Sequence, residues 1–198
     1  MCFLQFMTGI FILATTAPGS LSHFTEYRGE YTASRGQAIV ELEAGPHYRS
    51  GTRVGSGTAG VSFVIPDGWQ AAMPHGSETL FLESSQQPGI GLVAVFQHIA
   101  PQELEHHLNE PQVIDEGYVL HPVESAKRSG DRITVTYQSG ENTGLALALF
   151  GPSQNGVLYL FTGPKPQAEY YGDIVEQMAA STEFLENGAV RARPEDQT

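Results

Sequence analysis

Gly60-Val61-Ser62-Phe63-Val64-Ile65-Pro66-Asp67-Gly68-Trp69 decides the fold. Val61, Phe63 and Ile65 alternate with Ser62 and Val64, so a strand here presents one wholly apolar face. Pro66-Asp67-Gly68 ends that strand, because proline fixes φ and glycine admits positive φ. Trp69, the only tryptophan of the chain, follows at once and is placed to plug the end of a core.

Strands continue outward from this start. Glu78–Glu83 reads as a second and Ile90–Phe96 as a third, the latter so apolar that both of its faces must be covered. Ala100-Pro101-Gln102-Glu103-Leu104-Glu105 opens a helix, with proline in the first turn and acids near its N-terminus; it fades near Pro111. Tyr118–Val123 is a short strand. Three alternating runs, 132–137, 145–150 and 157–161, are separated by Gly-containing turns and form an antiparallel meander. A helix from Pro164–Pro166 to Ala180 carries Tyr171, Ile174, Val175 and Met178 on one face, with Asp173, Glu176 and Gln177 toward water. The fold class is therefore α+β, a predominantly antiparallel sheet with flanking helices.

The chain has 198 residues, enough for one substantial core. Charged residues make up only 16%, against 22 glycines and 12 prolines, a balance that favours strands and turns. The net charge is −12, from 22 acids and 10 bases, which repels phosphate backbones and excludes nucleic acid as a partner. Cys2 is the only cysteine, so a disulfide framework or thiolate metal site is not expected.

The run Cys2–Ala17 has no charge and is shorter than the roughly 20 apolar residues that cross a bilayer, so it reads as a signal-peptide core. No Lys or Arg precedes it, a departure from the usual pattern. Ser20-Leu21-Ser22 offers a cleavage site before His23. The expected organisation is a signal peptide over 1–22, a Gly/Ser/Tyr-rich extension or hairpin over 23–59, the main domain over 60–185 and a polar tail over 186–198. Ser50–Thr58 reads as a flexible connector. Export to the periplasm or exterior follows, with no integral membrane span after processing.

Phe63, Pro66, Gly68 and Trp69 at the start, and Ser181 and Phe184 after the last helix, give an order of elements that resembles the PsbP-like superfamily. Its members include extrinsic subunits of photosystem II, Mog-type nuclear-transport factors and exported bacterial proteins of unassigned role. The resemblance covers about 125 residues, by the span of those motifs, and leaves out 23–59. It implies an α/β/α sandwich, with the sheet between helical layers, and binding or assembly roles without an active site or cofactor.

Chemistry-bearing motifs are sparse. Glu103 and His107 are i and i+4 on the first helix and are the best candidates for holding a metal, with His106, His98 and His121 nearby. Adjacent His106 and His107 point about 100° apart, and no H-E-x-x-H spacing occurs, so an exposed helix face outweighs a metal site. Ser62, Ser77, Ser84 and Ser139 lack a nucleophile-elbow context. Lys127, Arg128 and Arg132 around Ser129-Gly130-Asp131 form the one basic cluster, either a docking patch for an acidic partner or a solvated hairpin tip. The leading expectation is a non-enzymatic exported protein that acts through protein–protein contact. A metal-assisted or Ser-dependent hydrolase, or a carrier of a small apolar ligand, is the alternative.

Overall fold

A computed structural model describes residues 38–185. The expected signal peptide, Cys2, the polar tail and the first part of the 23–59 extension lie outside the described residues. Fourteen strands and two α-helices follow one another along the described chain. A small sheet has the order β1-β3-β4-β14, built from Val40–Glu41, Arg53–Ser56, Val61–Val64 and Glu183–Phe184. β1 runs parallel to β3, and the other pairs of that sheet are antiparallel.

The large sheet is antiparallel throughout and has the order β2-β5-β6-β7-β13-β12-β11-β9-β8, with β10 also paired to β11. Its strands are β2 (His47–Tyr48), β5 (Gln70–Ala72), β6 (Thr79–Glu83), β7 (Ile90–Phe96), β8 (Gln112–Asp115), β9 (Tyr118–Pro122), β10 (Lys127–Ser129), β11 (Arg132–Ser139), β12 (Asn142–Phe150) and β13 (Gly156–Pro164). The meander is present in full: Val135 lies opposite Ala146, and Ala146 opposite Leu160. The helices are α1 (Pro101–Leu108) and α2 (Ala168–Ser181).

The pleat divides the core in two. Leu147, Val157, Tyr159 and Phe161 point to one face, where they pack with Tyr171, Ile174, Val175 and Met178 of α2 and with the small sheet. Ala146, Ala148, Leu158 and Leu160 point to the other, with Leu104 and Leu108 of α1. Each helix places a short apolar stripe against a β-branched and aromatic surface, which is why two helices stabilise so long a sheet.

Trp69 lies in the first of these clusters and is 0% exposed. Its ring meets Phe161 edge-on at 5.0 Å, and its Nε1–H donates to the Tyr170 hydroxyl at 3.0 Å. A buried indole needs such a partner for its one polar atom. The turn before it closes with a Trp69 N–H bond to Pro66 O at 3.1 Å, and Gly68 has φ +79°.

Two expectations change. Ser50–Thr58 is not a loose connector: it contains β3, whose Val54 is buried opposite Phe63. Gly55 serves packing, since a Cβ there would meet Val61 O at 2.8 Å. The last helix also begins later than Pro164, because Lys165–Gln167 is a 3-10 turn and the α-helix starts at Ala168. Pro166 carries no N–H, so the chain winds tightly before regular bonding begins.

Candidate functional site

The residues singled out for chemistry are dispersed. Glu103 and His107 both lie on α1, but the carboxylate near His107 belongs to Glu110, with Nδ1 to Oε2 at 3.6 Å. Glu110 also lies 3.7 Å from His106 Nε2. A long acid one turn on thus reaches two rings whose helical positions diverge, which residue-by-residue geometry of the two histidines did not reveal. Among the described residues, no group of three or more His, Cys, Asp or Glu side chains could hold a metal.

Three of the four serines are tied to local structure by their side chains, and Ser139 ends β11 opposite Asn142. Ser62 Oγ accepts from Arg53 Nη1 at 3.1 Å, and Ser77 Oγ donates to Thr79 O at 3.2 Å. Ser84 Oγ accepts from the backbone amides of Gln86 and Gln87. The buried tyrosines are structural too. Tyr137 donates to Leu108 O at 2.6 Å, holding the end of α1 onto β11, and burial raises its pKa. Burial likewise raises that of Tyr159, whose hydroxyl is 2.7 Å from Thr182 Oγ1.

Lys127, Arg128 and Arg132 do lie on one hairpin, β10–β11, with Ser129 opposite Arg132 and Gly130 at φ +62°. Each already has a partner. Lys127 Nζ is 2.7 Å from Glu124 Oε1, and Arg128 Nε–H donates to Gly130 O at 3.3 Å. Arg132 spans to α2 and forms a two-pronged pair with Glu176, one prong being Nη1 to Oε2 at 2.9 Å. That bond lowers the Glu176 pKa and raises that of Arg132.

The Arg132–Glu176 pair marks the border of a part of the sheet that no described element covers. α2 packs over β12 and β13, where Leu145, Leu147 and Leu149 lie beneath it. On the next strand, Thr136 lies opposite Leu145 and Thr134 opposite Leu147, on the same face but beyond the helix. The face continues onto β9, where His121 lies opposite Gln138 and the Val123 amide donates to Thr136 O at 2.9 Å. Period-two alternation places Val119, His121 and Val123 together, and Val113 of β8 lies opposite Val119.

Val113 is 47% and Val123 59% exposed, and these two are the exposed large hydrophobic residues of the described chain. Both fall on this one face. The sequence held a signal for it, since Val119 and Val123 keep the alternation of the Tyr118–Val123 run. What the sequence lacked was the position of α2, which decides that no described element covers this half of the sheet.

No protein-family model and no curated protein matches the chain. Solved structures to which it is similar include cyanobacterial PsbP (CyanoP) from Synechocystis sp. PCC 6803, with 13% identity over 67% of this chain and 91% of that one, and a TM-score of 0.49. The Ran-binding protein Mog1p of Saccharomyces cerevisiae has 9% identity over 67% of this chain and 94% of its own, with a TM-score of 0.45. LpqN, involved in cell envelope biogenesis of Mycobacterium tuberculosis, has 14% identity over 64% and 83%, with a TM-score of 0.41. The first two belong to the groups named by the sequence resemblance.

Proposed function

We propose that the protein is a non-enzymatic, exported accessory protein of the PsbP-like α/β/α type that works by binding another protein through the open face of β11, β9 and β8. One observation carries this reading: the two large hydrophobic side chains exposed on the described surface, Val113 and Val123, share a single face. Scattered exposed valines are ordinary, but a pair brought together on an uncovered sheet marks an interaction surface. The neutralised cations around it support the same reading, because interface centres are poor in net charge. Export is supported by the uncharged run Cys2–Ala17.

Photo-crosslinking tests the proposal. A crosslinking residue at Val123 of the full chain, expressed in its native host, is expected to trap a discrete protein. The same probe at Gln86, exposed in the β6–β7 turn, is expected to trap none. Val113→Asp in the Val123 probe chain is expected to abolish the product. A product equally strong at both positions, or none at Val123, overturns the proposal.

A further inference from the structure

On the α1 side of the large sheet, the floor runs out from under its cover. Leu120 of β9 lies over Gly144 of β12, where a Cβ would stand 3.2 Å from its Cδ1, and the Tyr118 hydroxyl is 2.6 Å from Thr162 Oγ1 of β13. The row beneath continues strand by strand, because directly opposed residues share a face. Thr162 is opposite Ile90 of β7, Ile90 opposite Glu83 of β6, and Glu83 opposite Gln70 of β5. Thr162 is buried, Ile90 and Glu83 are half-buried, and Gln70 is exposed. Phe81, two positions before Glu83 on the same strand face, is half-buried as well. Phe81, Ile90 and Tyr118 therefore make an apolar shelf at the margin of the core that α1 covers.

Glu83 brings a carboxylate onto this shelf without a cation to meet it. Among the described residues its side chain enters no ion pair or hydrogen bond, and burial alone raises its pKa, with no opposing cation. No Lys or Arg occurs between Arg53 and Lys127, the stretch that supplies β5, β6, β7, α1, β8 and β9. Neither flanking cation serves Glu83. Arg49, which follows β2, has a contact of its own, and Lys165 leaves β13 toward α2 with its amide bonded to Glu141 O at 3.0 Å. A carboxylate drawn partly out of water is stabilised by a cation supplied from outside.

We propose that this shelf receives a lysine or arginine side chain of a partner protein, its aliphatic stem on Ile90 and Phe81 and its charged end on Glu83. Long basic side chains bury their stems on apolar surface and keep the charged head near water. The gradation from Ile90 through Glu83 to exposed Gln70 offers that order of environments. An acidic side chain at the same place would meet only repulsion. The shelf is separate from Val113 and Val123, so this inference stands apart from the docking reading above.

The test uses the full chain, labelled with 15N and 13C, and three peptides blocked at both ends: leucine-lysine-leucine, leucine-norleucine-leucine and leucine-glutamate-leucine. The lysine peptide is expected to shift the amide signals of Gln70, Phe81, Glu83 and Ile90, and to bind about fivefold more tightly than the norleucine peptide, the upper range of one exposed ion pair. That advantage is expected to shrink as salt is added. The glutamate peptide is expected to leave the signals in place. The Glu83 carboxyl 13C signal gives a second measurement: the lysine peptide is expected to move its titration midpoint downward, since a nearby cation favours the charged form. Glu83→Gln is expected to make the lysine and norleucine peptides bind equally, without lowering Tm, because the carboxylate has no partner in the fold to lose. Equal binding of the two peptides to the natural chain, or no shift with any peptide, overturns the inference. So do shifts confined to Val113 and Val123, which place the cation at the other surface. None of these results alters the crosslink expected at Val123, so the docking reading fails or stands by its own test.

Discussion

Replacing Trp69 by alanine probes the joint on which the fold closes. The indole is fully buried, packs edge-on against Phe161 of the central strand β13, and reaches Tyr170 of α2 with its one polar atom. Truncation therefore loosens the sheet and the helix together. Fully buried aromatic side chains cost about 3–5 kcal/mol when cut to alanine, from lost transfer energy and the cavity left behind. The hydrogen bond adds little to this, because the Tyr170 hydroxyl is only part-buried and can turn to water. Against a total stability of about 5–15 kcal/mol, the loss removes a large share. For a chain of this size it corresponds to a fall in Tm of roughly 6–20 °C. The assay is urea unfolding followed by far-UV circular dichroism, since the variant has no tryptophan left to report by fluorescence. A loss below about 1 kcal/mol, with an unchanged slope of the transition, would refute the placement of this ring at the junction of sheet and helix.

Three further outcomes follow from the packing and the charges. Gly91→Ala would push a methyl to within 2.6 Å of the Phe161 ring and is expected to cost about 1–3 kcal/mol by overpacking, read from the urea midpoint. Burial raises the pKa of Tyr137 and Tyr159, so folding favours their neutral forms. Their contribution is complete below the unfolded-state value of about 10 and is lost as pH rises above it, so alkaline unfolding should coincide with tyrosinate absorbance at 295 nm rather than follow it. The Glu176 carboxylate has the opposite sign: its bond to Arg132 lowers its pKa, so that stability is present above the unfolded-state pKa and disappears as pH falls through the folded-state value. Because the pair is largely exposed, Glu176→Gln should change stability by only a few tenths of a kcal/mol at neutral pH, and should remove part of the acid sensitivity measured by thermal melts.

The framework of the fold was legible in the sequence wherever periodicity was strong. Val61, Phe63 and Ile65 alternate, and all three are buried; Tyr171, Ile174, Val175 and Met178 recur at helical spacing, and all four are buried. Short strands were not legible. Gln70–Ala72 and Gln112–Asp115 are too brief to show a period, and they form because neighbouring strands offer them bonds. β3 was misread because glycine and serine signify flexibility in isolation but close approach beside another strand, as Gly55 does against Val61. The candidate site was only half legible. Val119 and Val123 stand in an alternating run, whereas Val113 falls in a strand too brief to show one, the exposure of all three depends on where α2 stops, and Arg132 and Glu176 meet across 44 positions of sequence.

The irregular register of β8 also bears on how the protein behaves at high concentration. An antiparallel sheet of this breadth would grow from either end if its outermost strands were long and regular. One end here is only the two residues His47 and Tyr48, and the other shifts its pairing between Val113 and Asp115. Neither gives an incoming chain a continuous row of amides to read. The two described margins of the large sheet are thus poor templates for copies of the chain, so filament formation should begin only after those margins are rebuilt.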